Sequence, residues 1–369
     1  MSVERRVYVS AGEPSGDLHG AALVAALGES GAQYSVDAMG GAGLASAGAR
    51  IVEPAESLAA FGLVEAVASL PTHLAVLSRV RARLRREPYA AAVLIDYPGF
   101  HLRVARVASR QSVPVLYYIP PQLWAWAPGR ARQLRDSTRL VACVLPFEPE
   151  LLRRYDVRAT FVGHPVLDRP RGGRDAARHE LGIAPGRPVL ALLPGSRRPE
   201  IHRHWPLFRA TARRLRTRFP DLAVILAVTP GQTYRLDGEP MVTADAPRAL
   251  AAADAALCKS GTATIEAAVA GTPMVIAYQL HPVTFAIARR LVRVPFIGLP
   301  NLVAGRRVVP EFVQGQATPA SLGAVLEPLL DAAAPAARGQ RADLREVVER
   351  LGPPGAARRV AALVEELAA

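Results

Sequence analysis

Short, almost wholly apolar runs recur along this chain. Most are followed directly by glycine, proline or a carboxylate, and most then lead into a stretch with helical spacing. Runs of that length and character predict buried strands. They fall at residues 6–11, 34–39, 90–95, 115–118, 140–145 and 160–162, and again at 189–193, 223–228, 255–258 and 274–278. Helical spacing predicts helices over 18–27, 76–86, 102–110, 199–218, 247–253, 262–269 and 282–292. The tail reads as helix over 319–331, 336–351 and 353–368, whereas 299–306 reads as a loop-like segment. Two successive βα series predict an α/β protein of two Rossmann-like, doubly wound domains facing a cleft.

Residues 168–175, rich in proline, glycine and arginine, mark the boundary between the two series. The expected division is therefore 1–167, 168–335, and a tail of helices, 336–369, packing back toward the N-terminal domain. The tail helices cross either between domains or between partner chains of a homodimer, and the sequence leaves both open.

The second series contains the most suggestive stretch, residues 257–279. A strand end meets Ser260-Gly261-Thr262, a short helix follows, Gly271 stops it, and a second buried strand begins after Pro273. The turn delivers a helix N-terminus, where free N–H groups attract anions such as phosphate. Glu266 sits one turn in, on the face Thr262 shares, and a carboxylate there suits a ribose diol. On these residues alone, a nucleotide site and an ordinary α/β crossover with an exposed glutamate remain equally open. The loop Gly12-Glu13-Pro14-Ser15-Gly16-Asp17 makes a similar strand–turn–helix junction but does not match G-x-G-x-x-G.

One stretch breaks the pattern. Residues 58–77 carry too many apolar side chains for a one-sided stripe, among them Phe61, Leu63, Val64, Val67 and Leu70. A buried helical hairpin and an apolar surface that meets a membrane or acyl chains both fit. The next helix carries Arg79, Arg81, Arg83, Arg85 and Arg86, which suits an anionic leaflet or a solvated basic face.

Composition narrows the choices. In 369 residues, 45 Lys and Arg face 32 Asp and Glu, a formal charge of +13, and Lys259 is the only lysine. Such a balance admits phosphorylated substrates, an anionic membrane or nucleic acid. The arginines recur on many helices instead of forming one stripe, and aromatics are only 6%, so nucleic acid is not an expected partner. Cys143 and Cys258 lie in apolar runs and read as buried, inert thiols of a reducing compartment. No apolar run approaches the ~18 residues a membrane span needs, and no signal peptide is apparent, so the protein is expected to be cytoplasmic.

A set of ordered motifs then decides the reading. They are Ser10 to Ala21 (SAGEPSGDLHGA), Ile95-Asp96-Tyr97-Pro98-Gly99-Phe100, Trp124-Ala125-Trp126, Leu145-Pro146-Phe147-Glu148 and Gly163-His164-Pro165. Leu193-Pro194-Gly195-Ser196-Arg197, Ser260 to Glu266 (SGTATIE) and Leu299 to Arg306 (LPNLVAGR) complete the set. With these, correctly spaced over nearly the whole chain, the sequence resembles the lipid-A-disaccharide synthase family, inverting glycosyltransferases of GT-B architecture.

The resemblance implies the joining of UDP-2,3-diacylglucosamine to 2,3-diacylglucosamine 1-phosphate, at the cytoplasmic face of the inner membrane and peripherally bound to it. It implies that Asp96 is the general base and that Glu13 is also required, either to orient the acceptor sugar or to assist Asp96. Gly195, Ser196, Arg197, Ser260, Gly261, Thr262, Glu266 and Asn301 are the implied donor-side residues, with Arg197 pairing with the diphosphate and Glu266 holding the ribose. Phe61, Leu63, Val64, Val67 and Leu70 are the candidate membrane or acyl-chain surface. Metal-dependent transferases often hold their ion with Asp-x-Asp, a tripeptide this chain lacks, so neither metal nor cofactor is expected. His19, His101 and His164 lack metal-ligand spacing and read as structural; Asp17 reads as a cap of the helix that follows it. The nearest rivals are a UDP-N-acetylglucosamine 2-epimerase and the transferase of peptidoglycan assembly.

Overall fold

The computed structural model describes residues 5–31, 33–55, 70–123, 129–170, 172–229, 231–236, 238–282, 284–286 and 294–369. Phe61, Leu63, Val64, Val67, Trp124 and Trp126 lie outside these residues, as does most of the helix expected over 282–292. Leu70 opens a helix, but its side chain is also outside. The chain divides into two compact units, Met1–Asp168 with Gly352–Ala369, and Arg169–Leu351.

The first unit alternates strand and helix: β1 (Arg5–Ala11), α1 (Pro14–Glu29), β2 (Tyr34–Gly40), α2 (Ala42–Ser46), β3 (Arg50–Pro54) and α3 (Leu70–Arg86). It continues with β4 (Tyr89–Ile95), α4 (Pro98–Arg110), β5 (Val115–Tyr118), α5 (Gly129–Ser137), β6 (Leu140–Cys143), α6 (Glu148–Arg153) and β7 (Ala159–Phe161). All seven strands are parallel, in the order β3-β2-β1-β4-β5-β6-β7. The order reverses between β1 and β4, which creates a crevice at the carboxyl ends of those strands. Beneath it, Tyr8, Met39, Leu94, Phe100, Leu102 and Tyr117 share one apolar core.

Two sequence expectations change here. Helix α1 begins at Pro14, so Ser15, Gly16 and Asp17 belong to its first turn. Asp17 does not cap that helix. Its carboxylate accepts the backbone N–H groups of Gly41 (2.7 Å), Gly43 (2.8 Å) and Leu44 (3.3 Å), satisfying the start of α2. A Cβ at Gly43 would stand 2.7 Å from Asp17 Oδ2, so the glycine is what admits the carboxylate. The basic helix α3 is also less uniform than its sequence suggests: Arg79 grips Glu53 with two hydrogen bonds and Arg83 lies 3.6 Å from Asp37.

The second unit comprises α7 (Arg174–Glu180), β8 (Val189–Leu193), α8 (Arg198–Arg218), β9 (Ala223–Ala227), β10 (Val242–Ala244), α9 (Ala246–Ala252) and β11 (Ala255–Lys259). It goes on through α10 (Ala263–Val269), β12 (Met274–Tyr278), α11 (Leu299–Ala304), β13 (Glu311–Val313), α12 (Pro319–Leu326) and α13 (Pro335–Arg350). Its six strands are parallel in the order β10-β9-β8-β11-β12-β13, with the reversal between β8 and β11. The segment expected as a loop over 299–306 contains α11. Pro300 stands at the start of that helix, where its missing N–H costs nothing, and Gly305 ends it at φ 70°.

The tail divides differently from the sequence expectation. Helix α13 stays with the second unit, and only Gly352–Ala369 joins the first. There α14 (Ala356–Ala368) packs on α1 and buries Val360, Ala361 and Val364. The Asp168 carboxylate accepts the N–H groups of Gly355 and Ala357 at its start, at 2.5 and 3.4 Å.

Candidate active site

At the first unit's crevice, β1 and β4 run in register, Ala11 opposite Ile95. The residues that follow, Gly12-Glu13 and Asp96-Tyr97, are therefore neighbours. Glu13 is the N-cap residue of α1, with extended backbone. Asp96 and Tyr97 both adopt left-handed backbone, at φ 50° and 49°. For non-glycine residues that conformation costs on the order of 1–3 kcal/mol each. The surrounding structure enforces it. Asp96 N donates to Tyr118 O at 2.9 Å, while Asp96 O accepts from Tyr117 Oη at 2.7 Å and from His101 Nδ1 at 2.8 Å. The Tyr97 ring lies where a side chain on Gly12 would be: a Cβ there would meet the ring at 2.4 Å. Burial, and secondarily the charge of Glu13, raise the Tyr97 phenol above its usual pKa.

His101 is more than inert filling. A carbonyl only accepts, so Nδ1 must carry the proton, and Nε2 then accepts from Ser10 Oγ at 2.8 Å. Complete burial drives its pKa down to about 4, against a smaller upward pull from its backbone contacts, so the ring is neutral. It thus fastens the Asp96 main chain to strand β1.

The second unit repeats this plan. Leu193 of β8 lies opposite Cys258 of β11, which sets Pro194-Gly195-Ser196-Arg197 beside Ser260-Gly261-Thr262. Gly195 has φ 128° and Gly261 φ 152°, both in the range that L side chains avoid. Arg197 is the N-cap residue of α8, and its side chain is exposed. Ser260 Oγ donates to Ile297 O at 2.7 Å. Glu266, in the first turn of α10, accepts from Arg169 Nη1 at 2.9 Å.

Asn301 requires a correction. It is wholly buried, and its amide is used within the protein: Nδ2 donates to Val309 O (2.8 Å) and Glu311 Oε1 (2.7 Å). Its Oδ1 accepts from Val308 N (2.7 Å) and Val309 N (2.8 Å). Both donors and both lone pairs are thereby engaged, leaving no capacity for a nucleotide. Asn301 is a brace. Through Glu311, whose oxygens also accept Ile297 N and Gly298 N, it fixes the segment that receives the Ser260 hydroxyl.

Among the described residues, no three His, Cys, Asp or Glu side chains gather where they would hold a metal ion. Cys143 and Cys258 are buried free thiols, pushed far above their usual pKa by burial.

Both crevices lie where doubly wound sheets bind ligands, and residues 7–353 match the sequence profile of the lipid-A-disaccharide synthetase family. This chain belongs to that family. The lipid-A-disaccharide synthase of Syntrophotalea carbinolica is 41% identical over 98% of this chain and 95% of its own length. In fold the chain is similar to the UDP-GlcNAc 2-epimerase of Neisseria meningitidis solved with UDP-GlcNAc, with TM-score 0.63, 11% identity and 98% of each chain covered. It is also similar to a calicheamicin glycosyltransferase, with TM-score 0.59 and 18% identity over 99% of this chain and 98% of the other. At such identities these likenesses concern architecture alone, and that architecture is GT-B.

Membership of the synthase family does not by itself point to His101, Lys259, Glu200 or Arg169. The sequence alone offers His101 only as structural, marks Lys259 only as the single lysine, and carries no motif around Glu200 or Arg169. Arg169 and Glu266 are 97 residues apart, and Ser10 and His101 are 91 apart, so no local pattern announces either pair.

Proposed function

We propose that this synthase-family chain joins UDP-2,3-diacylglucosamine to the 6-hydroxyl of 2,3-diacylglucosamine 1-phosphate. The products are the β-1′,6-linked disaccharide 1-phosphate and UDP. The acceptor oxygen attacks the donor's anomeric carbon as Asp96 takes the hydroxyl proton. The anomeric C–O bond breaks, and its electron pair leaves with UDP. Glu13 and Tyr97, beside Asp96, orient the acceptor sugar. In the second unit the turns at Gly195–Arg197 and Ser260–Thr262 receive the diphosphate, Arg197 neutralises it, and Glu266 takes the ribose diol.

The observation that carries this reading is the backbone at Asp96. Two consecutive left-handed residues, the first with its main chain held by three hydrogen bonds, support presentation of the Asp96 side chain at the crevice of the first unit. A residue with a merely local turn role does not need that support. The 2-epimerase rival shares the fold but not the family, whose profile and relatives support transfer to a lipid acceptor.

UDP release from the diacylated donor tests the proposal. Release that depends on the diacylated acceptor phosphate is expected, and it should survive EDTA because the cations used are the protein's own. Acceptor-independent release, or conversion of UDP-N-acetylglucosamine, would favour the epimerase. Activity lost to EDTA and restored by Mg²⁺ would overturn the metal-free mechanism.

The acyl chains of both substrates argue for peripheral association with an anionic leaflet. Exposed Leu74, with Arg81, Arg85 and Arg86 exposed on the same helix α3, supports this. Co-sedimentation with anionic vesicles should fall when Leu74 is changed to Glu; unchanged binding would remove α3 from the docking face.

A further inference from the structure

The single lysine of the chain stands at the seam of the second unit's crevice. Lys259 ends β11, with its side chain 15% exposed. Its Nζ lies 3.0 Å from Glu200 Oε1 and 5.7 Å from the centre of the Tyr278 ring. Among the described residues Glu200 is its one recorded hydrogen-bond partner, so the three-donor ammonium has capacity in hand.

The pair reaches from one glycine turn to the other. A Cβ added at Gly261 would stand 3.4 Å from Lys259 Nζ, so the ammonium rests against the bare backbone of the turn after β11. A Cβ added at Gly195 would stand 2.8 Å from Glu200 Cβ and 2.9 Å from its Oε2, so the carboxylate rests against the turn after β8. Glu200 Oε2 also faces Ser196 N at 3.4 Å. Burial raises the Glu200 pKa, but Lys259, and after it Arg197 and Ser196 N, outweigh burial and hold the group ionised below its usual range.

Departure of a nucleoside diphosphate leaves negative charge on the phosphate oxygens, and a fixed cation at that place lowers the barrier. We infer that Lys259 is a further donor contact, its ammonium pairing with the leaving diphosphate while Glu200 positions it over the seam. This rests on the donor-site reading above and adds to it a cation that the family motifs do not supply. A solely structural ion pair between the turns makes different predictions.

The test uses the full chain with UDP as probe. Because lysine occurs once, reductive methylation followed by peptide mapping reads the Lys259 amine alone, and saturating UDP should protect it. Lys259→Met should weaken UDP binding and lower kcat by roughly ten- to a hundredfold, the worth of a charged hydrogen bond. Lys259→Arg should restore most of both, while Glu200→Gln, which keeps an oxygen to accept from Nζ but loses the charge, should weaken UDP binding less than Lys259→Met does. Arg197→Ala serves as reference. If it weakens UDP binding while Lys259→Met does not, or if UDP fails to protect the amine, the inference falls and the donor-site reading stands. If the unaltered protein does not bind UDP at all, the donor-site reading itself falls. Equal losses of thermal stability in Lys259→Met and Glu200→Gln, with UDP affinity unchanged, would reduce the pair to a structural tie.

Discussion

His101 Nδ1 lies 2.8 Å from the main-chain oxygen of Asp96, and the same ring's Nε2 lies 2.8 Å from Ser10 Oγ. One neutral imidazole therefore joins the strand that leads toward Glu13 to the residue proposed as base. Its burial has a measurable consequence. The native pKa is about 4, whereas an unfolded histidine titrates near 6.5. As pH falls through that window the unfolded chain gains a proton that the native ring refuses. This contribution to stability is complete above about pH 6.5 and is lost by about pH 4, on the order of 3 kcal/mol in all. His101→Asn keeps a donor for the Asp96 carbonyl but cannot titrate. Urea midpoints measured across that range should show the pH slope reduced by about one proton, with His204, also lowered by burial, and the depressed carboxylates of Asp37 and Glu200 contributing to what remains. An unchanged slope would mean that His101 is not the group responsible.

Asp96→Asn should leave thermal stability nearly unchanged and cut turnover by roughly 10²–10⁴, the worth of a general base. Asparagine tolerates the left-handed backbone that position 96 adopts. Asp96→Ala should lose the same rate and in addition about 1 kcal/mol of stability, because alanine does not share that tolerance. Turnover close to normal in the asparagine variant, in the UDP-release assay, would end the assignment.

Asn301 separates bracing from ligand contact. Asn301→Ala would strand the N–H groups of buried Val308 and Val309 and remove the Asn301 donor from the Val309 carbonyl, while Glu311 would keep only its two backbone donors. At about 1–3 kcal/mol for each orphaned group, thermal stability should fall by several kcal/mol. UDP affinity, titrated at a temperature where the variant remains folded, should stay close to normal. A large loss of affinity without a loss of stability would restore Asn301 to the ligand-contacting set.

The central strands were legible because parallel strands covered on both faces are written as unbroken apolar runs, as in Ala91 to Ile95 or Val189 to Leu193. The three strands the pattern missed, β3, β10 and β13, are short edge strands with half-exposed side chains. Their residues lack that signature. Helix α11 was hidden by its own punctuation, since Pro300 and Gly305 read as loop residues until their positions within the helix are known. The motif residues Glu13, Asp96, Gly195 and Ser260 fell at strand ends as expected. The contacts that orient them were not legible. Asp17 reaches forward 24 to 27 residues, and Lys259 meets Glu200 across 59, distances that only the strand order brings together.

The first unit is discontinuous, and that sets the order of its completion during synthesis. Residues through Asp168 supply all seven of its strands, yet α14, which covers α1, is translated only after the whole of Arg169–Leu351. The second unit is one continuous stretch and can close as soon as it emerges. Until Gly352–Ala369 follows, the nascent first unit keeps the face of α1 that α14 later covers bare to water and to chaperones. The half begun first is thus the half finished last.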